Sequence, residues 1–243
     1  MRFQHQWNDL TKRVTEELQT TFKSCPNCFF SEHDIHSSLY NITKRELEQL
    51  GMDSQSTRDG YKTSLVHHEY PTPFRCDMRK YSFRVTSDNE RTPRGGLYKR
   101  GHYDLVVFNP EFIRNHTLDV VTGKDYQKLR AVLPKLNIEP LIWACEIIYF
   151  PGIRKLPENA VKIIEQDTQK VRATLDCKIV ENKTFCKIGS VHVFTSFPET
   201  TAHLLKQETE KIAQKHKVEI TFTTHNANRT ACTPSTLSLE GRG

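Results

Sequence analysis

Apolar residues recur in the chain at two spacings, and the spacings divide it into elements. Trp7, Leu10, Val14, Leu18 and Phe22 repeat at three and four residues, which predicts an amphipathic helix over residues 5–23. Ser24-Cys25-Pro26-Asn27 breaks it. Ser31, with Asp34 three residues on, has the form of a shortened capping box. The helix opened there would put Glu32, Ile35, His36 and Leu39 on one face, with residues 44–50 either extending it or forming a separate turn. Residues 51–60 are polar and rich in turn formers, so they read as a loop. Residues 65–70 read as a strand ended by Pro71 and Pro73, and the alternation over 79–86 suggests another. Residues 101–108 and 140–148 are apolar strand-like runs. A long connection over 110–138 separates them, with a short helix expected at 125–133. Further on come a helix at 159–175, a strand at 188–197, a helix at 200–216 and a last strand at 218–223. The tail after Asn226 is small and polar and is expected to be mobile. These elements make one α/β domain over 1–225 with an N-terminal helical lead, and no internal repeat is visible.

Length and composition limit the class without fixing it. A chain of 243 residues with 36% apolar and 26% charged residues can bury a core and stay soluble. No run approaches the roughly 18 apolar residues of a membrane helix, and the N-terminus lacks the apolar stretch of a signal peptide. A cytoplasmic location is the default expectation. Seven cysteines in no regular framework suggest reduced thiols.

A net charge of +6 and a pI near 8.9 lean only mildly toward acidic partners, but clustering sharpens that signal. Arg75, Arg79, Lys80, Arg84, Arg91, Arg94, Lys99 and Arg100 are interleaved with Phe74, Tyr81, Phe83 and Tyr98, against Asp77, Asp88 and Glu90. The segment suits phosphate contact with aromatic stacking, as in nucleic-acid binding. It reads equally well as a solvated hairpin kept soluble by its long cations.

The candidate chemistry lies in the two apolar runs. Gly101-His102-Tyr103-Asp104-Leu105-Val106-Val107-Phe108 carries one carboxylate, and so does Pro140-Leu141-Ile142-Trp143-Ala144-Cys145-Glu146-Ile147-Ile148. A lone acid on a buried strand costs several kcal/mol unless it is paired or binds a cation. If Asp104 and Glu146 converge, a divalent-metal site is the economical explanation. Each acid also has a plain reading: Asp104 as a turn cap, Glu146 as the partner of a buried Lys or Arg, and Glu32 as an acid favoured in a first helical turn by the helix dipole.

The order Glu32, Asp104, Glu146-x-hydrophobic resembles the PD-(D/E)XK nuclease superfamily over roughly residues 30–197. The resemblance implies a restriction-endonuclease-like αβββαβ core with a central mixed sheet flanked by helices. It also implies Mg²⁺ or Mn²⁺ held by Asp104 and Glu146, with the Ile147 carbonyl as a third ligand and Glu32 assisting. The implied activity is phosphodiester hydrolysis of nucleic acid, DNA before RNA, by an enzyme that can work as a homodimer. One position departs from the pattern: Ile148 stands where the family's lysine should be. Either Lys162 or Lys170 on the following helix replaces it, with Gln166 a neutral candidate on the same face, or the centre is inactive and the module binds without cleaving.

Two other sets of residues invite chemistry. Cys25, Cys28, His33 and His36 offer four zinc-competent groups within twelve residues, though a proline turn with surface histidines explains them as well. His67-His68-Glu69 could lie beside the strand acids and add Glu69 as a ligand, or could simply be a charged strand end.

Overall fold

The computed structural model describes residues 2–25, 28–152, 157–180 and 183–225. Two long helices lead, α1 (Arg2–Ser24) and α2 (Glu32–Gln49). The α2 cap is built as its sequence suggests. The Asp34 carboxylate accepts from the backbone N–H of Ser31 at 2.8 Å and of Phe30 at 2.9 Å, and residues 44–49 continue the helix without a break. The hairpin strands β1 (Ser54–Ser56) and β2 (Lys62–Ser64) follow, then β3 (Val66–Asp77), β4 (Arg84–Thr86) and β5 (Arg100–Phe108). The connection after β5 folds into three short helices, α3 (Pro110–Asn115), α4 (Leu118–Val121) and α5 (Tyr126–Val132). Next come β6 (Leu141–Phe150), α6 (Ala160–Asp176), the small strands β7 (Lys178–Val180) and β8 (Lys183–Thr184), β9 (Cys186–Thr195), α7 (Glu199–His216) and β10 (Glu219–Thr224). The tail beyond Asn226 lies outside the described residues. Among the described residues no helix is long and apolar enough to cross a membrane.

Six strands form a mixed sheet in the order β10-β9-β6-β5-β3-β4. The pairs β10–β9 and β9–β6 are parallel, and β6–β5, β5–β3 and β3–β4 are antiparallel. Helix α6 supplies the crossover that the parallel β6–β9 pair requires. One face is covered by α1 and α2 through Trp7, Leu10, Phe22, Ile35 and Leu39, packed with Leu105, Trp143, Cys145, Ile147 and Phe194. The other face is covered by α6 and α7 through Ile164, Val171, Leu205 and Ile212, packed with Ile148, Phe150, Val191 and Val193. Strand β6, sandwiched between them, is buried at every position except Tyr149, which explains its unbroken apolar sequence. Helix α6 lies tight against β9: a Cβ on Gly189 would stand 2.6 Å from Val171 Cγ1.

Several expectations change. Residues 51–60 are not all loop, since Ser54–Ser56 form β1, paired with β2. Strand β3 does not end at Pro71 but runs to Asp77, with its register against β5 shifting between Pro71 and Arg75. Strand β4 pairs only with residues 75–77, so β3 has a neighbour on one side alone at the prolines, where Pro71 lies opposite His102 of β5. The strand expected over 79–86 is confined to 84–86. Residues 79–82 form a tight turn, closed by the Ser82 N–H donating to the Arg79 carbonyl, in which Lys80 and Tyr81 take positive φ of 56° and 55°.

Candidate active site

Strands β5 and β6 pair from Phe108 back to Leu105 and then part, while β6 continues along β9 as far as Phe150. Asp104 and Glu146 stand at this fork. Parting leaves the Ile147 N–H without a strand partner, and it donates to Asp104 Oδ2 at 2.6 Å. Side-chain alternation sends Ile147 to the α1–α2 face and Ile148, with Glu146, to the α6 face. Ile148 is 3% exposed in the core beneath α6, which accounts for an aliphatic residue at that position.

A lysine nevertheless reaches the fork. Lys170 on α6 places its Nζ 2.7 Å from Glu146 Oε2 and 3.4 Å from Asp167 Oδ1, and donates to the His102 carbonyl at 2.9 Å. Its stem runs beside Gly101, whose Cβ, if present, would sit 3.3 Å from Lys170 Cδ. The other two residues of that helical row are elsewhere. Lys162 is exposed. Gln166 turns its amide to the 78–82 turn, donating to the carbonyls of Met78 at 2.6 Å and Ser82 at 2.8 Å.

Helix α2 closes the fork from the opposite side. Glu32 Oε2 accepts from the Tyr149 N–H at 3.2 Å, and the Tyr149 hydroxyl donates to the Phe29 carbonyl at 3.0 Å, tying the helix entrance to the end of β6. His36 Nε2 lies 3.6 Å from Asp104 Oδ2 and 3.9 Å from Glu32 Oε1. His68 packs alongside: its ring stacks on Tyr40, and its Nδ1 lies 3.2 Å from the Asp104 carbonyl. From sequence, the only chemistry assigned to His36 is zinc ligation. The signal for its place here is its position one turn after Glu32, on the same helical face.

The electrostatics follow from too many acids in too little water. Burial pushes Asp104 up to about 7, with Asp167 and Glu32 adding to the rise and the Ile147 N–H and Lys170 opposing it. Burial likewise raises Glu32 and works against the charge on Glu146, but the Lys170 ammonium 2.7 Å from Glu146 opposes that rise and is its counter-charge. For Lys170 burial opposes the charge, but Glu146 and Asp167 outweigh it, so the ammonium is held firmly protonated. Burial lowers His36 to about 4, with His33 and His68 adding to the fall, so the imidazole is neutral near pH 7. At the fork, the buried Glu146 Oε1 and His36 Nε2 have no hydrogen-bond partner. One ammonium among four carboxylates leaves surplus negative charge, which either protons or a cation can relieve.

Among the described residues no three His, Cys, Asp or Glu side chains form a ready-made metal cluster. Of the four zinc-competent groups, the Cys25 and Cys28 thiols touch each other, while His36 is turned to Asp104. Glu69 is exposed, with a positive φ of 52°, and the β3–β5 register passes over it from His68 to Tyr70.

Two cations of the basic segment pair with its own acids and others bond to backbone carbonyls, so the segment stays net positive. Arg79 forks onto Asp77 at 2.8 and 2.6 Å, Arg84 forks onto Glu90 at 3.1 and 2.6 Å, and Arg75 and Arg100 donate to the carbonyls of Tyr98 and Gly123. Lys80, Arg94 and Lys99 are exposed. Compared with known protein families, curated proteins and solved structures, the chain has no match in any of the three.

Proposed function

We propose that the chain is a Mg²⁺-dependent phosphodiester hydrolase of the PD-(D/E)XK kind, acting on DNA or RNA. The observation that carries this reading is the fork itself: Asp104 and Glu146 stand where β5 and β6 part, and Lys170 reaches them from α6 in place of the missing strand lysine. The succession α2, β3, β5, β6, α6, β9 supports an αβββαβ core. The donors suit a hard cation. Both are carboxylates, and Glu146 Oε1 is buried without a partner. Mg²⁺ characteristically takes one or two carboxylates and fills its remaining positions with water and substrate phosphate, so it needs no three-residue cage.

In this reading Asp104 and Glu146 hold the ion, which when bound polarises the scissile phosphate and acidifies an attacking water. Glu32, fixed by the Tyr149 N–H, orients that water or adds an oxygen ligand. Lys170 keeps its charge at the fork, where it can steady the developing negative charge of the phosphate. Neutral His36 supplies an unshared Nε2 beside Asp104. The exposed cations Lys80, Arg94 and Lys99 follow the nucleic-acid backbone.

A second reading has its own support. The buried Lys170–Glu146 pair already gives Glu146 a counter-ion, as in a module that binds nucleic acid or a protein without cutting. Cleavage of labelled single- and double-stranded DNA and RNA in Mg²⁺ or Mn²⁺ separates the two. The hydrolase reading expects cleavage that EDTA abolishes and that falls at least about a thousandfold in Asp104→Ala. Binding without cleavage by the wild type would establish the second reading instead.

A further inference from the structure

The turn at 78–82 is held in an unfavourable shape. Lys80 (φ 56°, ψ 35°) and Tyr81 (φ 55°) are consecutive non-glycine residues in the left-handed region, which L side chains avoid. Several bonds prevent relaxation. Gln166 straddles the turn with its two donations to Met78 and Ser82, the Ser82 hydroxyl donates to the Arg79 carbonyl at 2.7 Å, and Arg79 is locked to Asp77 and to the Tyr98 hydroxyl. The two residues carried at the tip face solvent: Lys80 is exposed and the Tyr81 ring is 45% exposed. Strain that is over-determined by its surroundings characteristically marks a functional segment.

The position of the turn points to its role. Gln166 adjoins Asp167, which contacts Lys170, so the clamp is one helical turn from the fork. A cleft of about 480 Å³ runs beside it, lined by Met78, Arg79, Leu97, Lys99 and Gly101. Its Gly101 wall lies against the stem of Lys170. An exposed aromatic ring, an adjacent exposed ammonium and a cleft carrying Arg79 and Lys99 beside them match one unit of a nucleic-acid strand, a base with its phosphate.

We infer that Lys80 and Tyr81 form a strand-gripping tip, with the Tyr81 ring stacking on an unpaired base and the Lys80 ammonium meeting the neighbouring phosphate, while Gln166 is the positioning residue that holds the tip beside the fork. The inference takes its ligand class from the nucleic-acid reading above but concerns binding, not cleavage. The test is fluorescence anisotropy of the full chain with a labelled single-stranded oligonucleotide in EDTA, where no metal-dependent cleavage intervenes. Tyr81→Ala and Lys80→Ala are each expected to weaken binding roughly tenfold, and Tyr81→Phe to retain it. Lys80→Ala should also reduce the slope of log affinity against log salt by about 1. In a Tyr81→Trp variant, the oligonucleotide should quench the new indole, because the native Trp7 and Trp143 are buried at 4% and 1% exposure. Wild-type affinity in both alanine variants, an unquenched indole in Tyr81→Trp, or no binding by the wild type would each overturn the inference. Tip-dependent binding without cleavage in Mg²⁺ would refute only the hydrolase reading. Cleavage with the tip variants neutral would refute only this inference.

Discussion

Lys170→Met is expected to lower the free energy of unfolding by about 3–5 kcal/mol, the typical cost of breaking one side of a buried ion pair. Lys170 and Glu146 side chains are only 6% and 3% exposed and meet at 2.7 Å. Methionine fills the volume of the lysine stem but leaves Glu146 among Asp104 and Asp167 with no counter-charge. The carboxyl can then escape only by binding a proton, so the loss should be smaller at pH 5 than at pH 8. Adding Glu146→Gln removes the uncompensated charge, and the double variant should recover much of the stability. Urea denaturation of the two single variants and the double variant at both pH values measures the coupling. A Lys170→Met cost below about 1 kcal/mol at pH 8 would mean that the pair does not hold the fork together.

The second large effect is on the pH dependence of stability without metal. Asp104 sits at about 7 in the fold, above its ordinary 3.8. Between these values the folded state binds more protons than the unfolded state, so stability contributed by protonated Asp104 is complete below pH 4 and lost as the pH rises through 7. The full difference is at most about 4 kcal/mol, less with solvent screening of a side chain that is 18% exposed. Asp104→Asn cannot ionise yet can still accept the Ile147 N–H through its carbonyl oxygen. The variant should therefore melt higher than wild type at pH 8 and nearly level with it at pH 4. Equal pH profiles for the two proteins would show that the fork does not raise Asp104.

Much of this arrangement is legible in the chain. The unbroken apolar runs around Asp104 and Glu146 mark central strands, because a strand covered on both faces has no polar side to show. The Ser31–Asp34 box and the helical spacing before Phe22 locate α1 and α2. The helical row 162, 166, 170 narrows the displaced lysine to two candidates. What stays illegible depends on tertiary position. Periodicity cannot show that Lys170 points at the fork while Lys162 is exposed, since both share one helical face. Gln166 reads as a neutral stand-in for lysine, but it serves the 78–82 turn because that turn, not the fork, lies under its position on the helix. Alternation over 79–86 suggests a strand because backbone strain at Lys80 and Tyr81 leaves no trace in residue type. The basic run does not show which of its cations are engaged: Arg79 and Arg84 pair with Asp77 and Glu90, while Lys80, Arg94 and Lys99 are exposed. His36 joins the site through its contact with Asp104, a strand residue 68 positions away that helical spacing does not reach.

The claim that Asp104 and Glu146 form a divalent-cation site is tested most directly by calorimetric titration of Mn²⁺ into the metal-free protein at pH 7, with Asp104→Asn and Glu146→Gln alongside. The wild type should bind saturably, with proton release because burial holds Asp104 part-protonated at that pH, and each variant should lose both signals. Absence of binding by the folded wild type, or binding that both variants retain, would contradict that claim.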